Sequence, residues 1–287
     1  MGSRNNGDER LLRLGWFSSG REGSAELLAP LLDTLQRKSV EAVIAFVFCN
    51  WEKDEEPDHA NFRDRQKLFE LAHSGGIPLV TFSWKRFRES RTTGTKEDWK
   101  KEYGSRLRAL FSEHQFDVGV LAGYTLSLDD ETMERFELLS LNCSPPGGIS
   151  CGLEEGILKA ITLKAESYGC SVNHVRPDWD VSLPIAICTF RLRTPENQEL
   201  WRDYELWAAD RSADLLPKAE IEGKELFVQL RKDARRRQSA LIATVVQMFA
   251  AGKLEMRKGK VYEDGRPLTR PYDLTPAVEG AIAAREF

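Results

Sequence analysis

Residues Ala42–Cys49 read AVIAFVFC, an unbroken apolar run. It is far too short for the roughly 20 residues that span a bilayer. As a strand in water it needs cover on both faces, and strands of that kind belong to parallel sheets with helices packed on each side. The neighbouring segments supply those helices. Leu11–Phe17 reads as a first strand, followed by a loop SSGREG and a helix from about Ser24, in which Leu27, Leu28, Leu31, Leu32 and Leu35 form one apolar stripe. Val40–Phe48 is the second strand. The polar stretch Asn50–Pro57 leads to a helix near Phe62–Ser74, which Gly75-Gly76 ends because glycine accepts the left-handed cap conformation. A third strand at Ile77–Phe82, a helix over Glu97–His114 and a fourth strand at Phe116–Ala122 follow. This alternating order predicts an α/β fold with a Rossmann-like, doubly wound, mostly parallel sheet.

The second half has a different pattern. After a loop at Asn142–Gly152 and a helix over Leu153–Ala165, two strand-like runs, Gly169–Arg176 and Pro184–Leu192, are joined through Asp178-Trp179-Asp180. They predict an antiparallel C-terminal part. A long amphipathic helix over Lys224–Ala250, a glycine cap at Gly252 and a hairpin over Lys258–Pro267 complete the pattern. The expected organisation is one domain over 11–270 with a helical insertion at about 194–223, and terminal tails at 1–10 and 271–287. Residues 50–60 and 194–223 are in excess of what such a fold needs.

Composition removes several classes of function. The chain has 41 Lys+Arg against 45 Asp+Glu, a net charge of −4, which argues against a general nucleic-acid coat. The cluster Arg231-Lys232 with Arg235-Arg236-Arg237 reads as a solvated helix face before it reads as an anion or RNA site. Five cysteines without a CxxC pair fit a reducing cytoplasm rather than a disulfide framework, and the scattered histidines do not suggest zinc. The polar N-terminus carries no apolar signal segment, so secretion by that route and membrane insertion are not expected. Trp201 and Trp207 read as a core cap or a homodimer contact before a ligand-stacking pair.

Four segments carry candidate chemistry. Ser18-Ser19-Gly20-Arg21-Glu22-Gly23-Ser24 sits between the first strand and helix, where free backbone N–H groups and the helix dipole attract anions. It matches neither the Walker loop nor the dinucleotide fingerprint, and its plain alternative is an ordinary βα turn. Leu121-Ala122-Gly123-Tyr124 ends the fourth strand, on the side of an open sheet where ligands bind. In Leu141-Asn142-Cys143-Ser144-Pro145-Pro146, the Asn amide is able to donate to oxygen charge that develops during acyl transfer. In Asp178-Trp179-Asp180, a carboxylate is able to move protons. Taken singly, such Asn and Asp residues are more often turn formers.

Their joint order resembles the folate-dependent formyltransferases, most closely the phosphoribosylglycinamide formyltransferase group. The family's SGxGSN loop is similar to SGREGS here, with one extra residue and Ala25 at the usual Asn. Its LAGFxxxL resembles Leu121–Leu128, its LNIHPS resembles Leu141–Pro146, and its GTSVHFV resembles Gly169–Val175. Its ELDGG region falls on Asp178–Ser182 and its WFADGRLKM on Met248–Met256.

The resemblance implies formyl transfer from 10-formyltetrahydrofolate to an amine of a small-molecule substrate, phosphorylated or not, with no nucleic-acid partner. It implies catalytic roles for Asn142 and Asp180, with Ser144 at the family's catalytic His. It further implies substrate phosphate binding by Ser19, Gly20, Gly23, Ser24 and Lys96, and folate binding by Tyr124, Thr125, Leu126, Leu128, Arg176 and Asp178. The Ser144 replacement matters because a serine does no general acid–base work near neutral pH without a partner. It leaves two alternatives: a catalytically impaired relative that binds folate, a nucleotide or a protein partner, and a formyltetrahydrofolate hydrolase. The expected extra N-terminal module of such hydrolases, and the C-terminal barrel of methionyl-tRNA formyltransferase, have no counterpart in the motif order.

Overall fold

A computed structural model describes residues 11–37, 40–144, 152–177, 184–209, 217–257 and 259–284. The first strands are β1 (Leu12–Ser18), β2 (Ala42–Cys49), β3 (Leu79–Thr81), β4 (Val118–Leu121) and β5 (Leu138–Ser144). They are followed by β6 (Ser167–His174), β7 (Pro184–Arg191), β8 (Leu254–Arg257), β9 (Lys260–Glu263), β10 (Arg266–Pro267) and β11 (Tyr272–Asp273). The described residues form an eight-stranded sheet in the order β11-β7-β6-β5-β4-β1-β2-β3 and a three-stranded sheet in the order β10-β9-β8. Strands β3, β2, β1, β4 and β5 run parallel to one another in that order, while β6 runs antiparallel to both β5 and β7. The mostly parallel α/β sheet with an antiparallel C-terminal part is thus the architecture that the sequence pattern predicts.

Helices α1 (Ser24–Arg37), α2 (Phe62–Ser74), α3 (Trp84–Glu89), α4 (Lys96–Ser112) and α5 (Asp130–Arg135) belong to the parallel half. Helices α6 (Leu153–Thr162), α7 (Gln198–Ala208), α8 (Lys218–Glu222), α9 (Glu225–Ala250) and α10 (Thr275–Ala283) follow. The leucine stripe of α1 meets the sheet as its spacing requires: Leu27, Leu28, Leu31 and Leu35 are buried. Each such side chain contributes about 1.5–3 kcal/mol. Pro30 lies inside this helix, and a proline has no N–H to offer the carbonyl four residues earlier. Ser239 of α9 donates its hydroxyl to that carbonyl, Glu26 O, at 3.3 Å. The break in the ladder is therefore also the point where α9 docks on α1. Helix α4 begins at a capping box, with Thr95 and Asp98 satisfying each other's backbone N–H groups.

Three differences from the sequence reading have physical causes. The third strand contracts from Ile77–Phe82 to Leu79–Thr81, because it is an edge strand paired with β2 alone. The start of the segment read as a loop at 142–152 instead completes β5, so Asn142 and Ser144 stand on a strand paired with Ser171 and Gly169 of β6. The segment after 270, read as a tail, continues the sheet: Tyr272 and Asp273 pair in parallel with Ala186 and Ile187 of β7. Helix α10 then buries Val278 in the core. Two paired residues are too few to register as a strand in a sequence; the β7 edge recruits them. No described helix is long and apolar enough to cross a membrane.

Candidate functional site

The strand order places a crevice before any side chain is considered. From β1 the chain steps to β2 and β3 on one side, and β4 and β5 lie on the other. Connections that leave β1 and β4 in opposite directions open a gap outside their carboxyl ends, where open α/β sheets bind ligands. The turns after these two strands are the SSGREGS and LAGY segments, and they are stitched together. Ser19 N–H donates to Gly123 O at 3.2 Å, Thr125 N–H donates to Ser19 Oγ at 3.0 Å, and the Ser19 and Thr125 hydroxyls lie 3.0 Å apart. A cleft of about 610 Å³ opens beside this seam.

The β1–α1 turn is tightly organised. Ser18 and Ser24 are buried and bond hydroxyl to hydroxyl at 3.0 Å, and Gly20 N–H reaches Ser18 Oγ at 3.3 Å. Gly20 and Gly23 adopt φ of 61° and 84°, which a side chain resists. Space is closed at both as well: a Cβ on Gly20 would lie 2.9 Å from Arg65 Cγ, and one on Gly23 would overlap the Arg235 guanidinium. The turn is thus held between two arginines. Arg235 of α9 donates to Glu22 O at 2.8 Å and reaches Glu154 at 3.4 Å, while Arg231 pairs with Glu22 at 2.7 Å. This part of the basic cluster, read as a solvated helix face, is a clamp on the turn.

Among the sequence-selected residues, Ser24, Tyr124, Thr125, Leu126, Leu128 and Asn142 line the cleft. Asn142 projects from β5, and its Nδ2 donates to Ser140 Oγ at 2.9 Å. One amide hydrogen is engaged there, which fixes the amide plane and leaves the second for a ligand. Tyr124 has a buried hydroxyl with no partner among the described residues, and burial raises its ionisation far above the ordinary phenol value. It serves as a neutral wall, not as an acid or base. Ser19, Gly20 and Gly23 shape the turn without lining the cleft. Ser144 pairs through its backbone with Gly169, and Asp178 and Asp180 lie outside the described residues.

Two sequence-selected cations stand elsewhere. Lys96 is exposed at the first position of α4, and Lys100, one turn on, lines the cleft in its stead. The Arg176 guanidinium packs against Gly259, where a Cβ would sit 2.5 Å from it, and donates to Met133 O at 3.4 Å. Its neighbours Val175 and Pro177 reach the cleft.

Sequence reasoning missed Arg235 and Gln238, which line the cleft from α9. The signal was there in the spacing of 231, 235 and 238, which puts the three residues on one helix face. Gln238 donates to Cys143 Sγ at 3.1 Å. Cys143 is buried, and it stands opposite Cys170, whose thiol is pushed up by its hydrogen bond to Cys143 and then by burial. Cys49 is likewise pushed up by burial, to about 12. Cys49 and Cys170 are held as protonated, inert core residues.

No protein-family model matches the chain, and no curated protein matches its sequence. Solved structures do match it. Phosphoribosylglycinamide formyltransferase from Coxiella burnetii superposes with a TM-score of 0.62 at 17% identity, over 91% of this chain and 98% of that one. Glycinamide ribonucleotide transformylase 1 from Symbiobacterium toebii gives 0.58 at 16% identity, over 91% and 98%. Formyltetrahydrofolate deformylase from Burkholderia mallei gives 0.55 at 16% identity, over 89% and 71%. The chain therefore has the fold shared by phosphoribosylglycinamide formyltransferases and formyltetrahydrofolate deformylases.

Proposed function

We propose that the protein transfers a formyl group from 10-formyltetrahydrofolate to an amine of a small substrate. The observation that carries this reading is the Asn142 amide, oriented by Ser140, in the wall of a cleft at the switch point of the sheet. The cleft volume of about 610 Å³ lies within the roughly 300–1,000 Å³ of ligand pockets. Its walls fit a flat, amide-rich ring: Leu126, Leu128, Met133, Leu141 and Val175 are apolar, and the chain from Thr125 to Leu128 brings backbone donors and acceptors.

In this reading the free hydrogen of the Asn142 amide donates to the oxygen charge that develops at the formyl carbon as the amine attacks. A preorganised donor of this kind supplies about 10²–10³ in rate. Asp180 relays the proton released by the amine, through water, to N10 of the folate as the formyl C–N10 bond breaks and tetrahydrofolate leaves, and Ser144 positions that water. Ser24, with Arg21, Lys100 and Arg235, holds an anionic end of the acceptor, and Ser19, Gly20 and Gly23 set the shape of the turn that presents them. Lys100 takes the part that the motif match gave to Lys96, since Lys100 is the lysine that faces the cleft.

The test follows release of tetrahydrofolate from 10-formyltetrahydrofolate with a panel of amines that includes glycinamide ribonucleotide. Asn142→Ala is expected to lower kcat about 10²–10³-fold with folate binding retained. Equal turnover by the wild-type protein and Asn142→Ala would overturn the assignment. A second reading is favoured by Ser144, which stands where the formyltransferase pattern has histidine. Folate binding without turnover on any amine would support a binding protein, and amine-independent formate release would support a hydrolase. Ser144→His is expected to raise transfer to an amine if the remaining site is competent.

A further inference from the structure

A cradle for a phosphate needs backbone N–H groups directed at the ligand and glycines whose bare face is open to it. The β1–α1 turn has the glycines but not the opening. The N–H groups of Ser19, Gly20 and Ser24 are taken by Gly123 O, Ser18 Oγ and Arg21 O. The Arg65 side chain stands over the bare face of Gly20, and the Arg235 guanidinium over that of Gly23.

Arg235 is in turn held between two carboxylates. Its Nη2 lies 3.4 Å from Glu154 Oε1, its Nη1 lies 3.7 Å from Glu22 Oε1, and Arg231 approaches that same Glu22 oxygen at 2.7 Å. The Arg235 side chain is 13% exposed, whereas those of Glu22 and Glu154 are 48% and 44% exposed. All three line the cleft. Around the cleft as a whole, the described lining sets Arg21, Lys100 and Arg235 against Glu22, Asp130 and Glu154. The charges cancel. A ligand that enters such a wall loses hydration in proportion to the square of its charge, while its attraction to a cation grows only in proportion to that charge. A dianion is therefore penalised more heavily than a monoanion.

We infer that Glu22 and Glu154 are specificity-determining residues: by neutralising Arg235 they make the cleft accept an amine whose other end is a carboxylate and reject one that ends in a phosphate monoester. This rests on the formyl-transfer reading and narrows its acceptor to small amino carboxylates.

The test pairs γ-aminobutyrate with O-phosphoethanolamine, primary amines of similar length that end in a carboxylate and a phosphate monoester. Binding to the full chain without folate is followed by ligand-observed NMR, and turnover by release of tetrahydrofolate from 10-formyltetrahydrofolate. At neutral pH, γ-aminobutyrate is expected to bind about tenfold or more tighter. The gap should narrow as pH falls through about 6, where a phosphate monoester takes up its second proton. Glu154→Gln and Glu22→Gln each remove one negative charge from a partly exposed side chain. Coulombic effects scale with ligand charge, so a gain of about threefold for the carboxylate accompanies one of about tenfold for the phosphate. Glutamates that only brace the turn would give the opposite result, a weakening of both ligands. That weakening, O-phosphoethanolamine binding as tightly as γ-aminobutyrate, an affinity ratio unchanged in Glu154→Gln, or no binding of either probe at millimolar concentration would overturn the inference. Carboxylate-selective binding with no tetrahydrofolate released would overturn the formyl-transfer reading alone.

Discussion

The two faces of the large sheet are filled by different means. On one face, α1, α2, α6, α9 and α10 bury Leu28, Leu31, Ile157, Leu241, Val245 and their neighbours against Leu14, Ile44, Val118 and Val172. On the other, the described cover is α4 with the short α3 and α5, and the space is taken by rings. Phe17 there meets Phe46 at 5.5 Å and Phe111 at 4.9 Å, both edge to face. Ring packing needs room at the backbone. A Cβ on Gly119 would lie 2.5 Å from Leu138 and 2.7 Å from Phe17, and one on Gly15 would lie 2.9 Å from both Phe17 and Phe46. A register shift in β2 between the partners of Leu14 and Gly15 then brings Phe46 level with Gly15. Many helices cover a sheet with branched aliphatics, whereas fewer helices require larger side chains and glycines to admit them.

Replacing the central ring should have the largest effect on stability. Phe17→Ala is expected to cost about 3–5 kcal/mol in urea unfolding, because the rings around it cannot collapse into the space. A cost near that of a single methylene would show that the aromatic face repacks like the aliphatic one. Next, Gly119→Ala is expected to cost about 1–3 kcal/mol by overpacking, although it adds one methyl group and alanine favours the unfolded chain less than glycine does. A neutral or stabilising result would mean that the glycine does not serve the rings.

The smallest effect concerns a polar clamp that depends on neither face. Glu137 accepts from His174 Nε2 at 3.0 Å and lies 3.4 Å from Gly259 N–H, between β8 and β9, so it ties the large sheet to the small one. The hydrogen bond from His174 leads the effects that hold its carboxyl below the usual value. A carboxylate with a depressed native pKa adds stability that is complete above its unfolded value, about 4.3, and is lost as pH falls through the native one. Glu137→Gln should therefore lower stability by about 1 kcal/mol at neutral pH, with the difference from wild type closing in acid. A difference independent of pH would show that packing, and not charge, makes the clamp.

Several of these features were legible in the residues. The apolar run at 42–49, the leucine stripe of α1 and the glycines of the first turn each carry local signals, since periodicity and backbone freedom are properties of short segments. Asn142 was legible as chemistry but not as position. LLSLNCS forms a strand because β4 and β6 flank it, and its end, from Asn142, read as the start of a loop without them. Lys96 and Lys100 are one helical turn apart, and which of them faces the cleft depends on how α4 docks. Arg235 and Gln238 read as parts of an amphipathic helix far from the first turn in sequence; only the packing of α9 on α1 brings them to it.

The sequence by itself determined that this chain builds a parallel, helix-covered sheet, turns sharply after its first strand, and carries an amide in a formyltransferase-like motif. Those properties follow from side-chain periodicity, glycine conformation and motif order, all of which act along the chain. The tertiary structure decided what surrounds that amide and which arginine closes the turn. Such outcomes depend on contacts between segments distant in sequence, where packing and pairing across the sheet, rather than local preference, set the free energy.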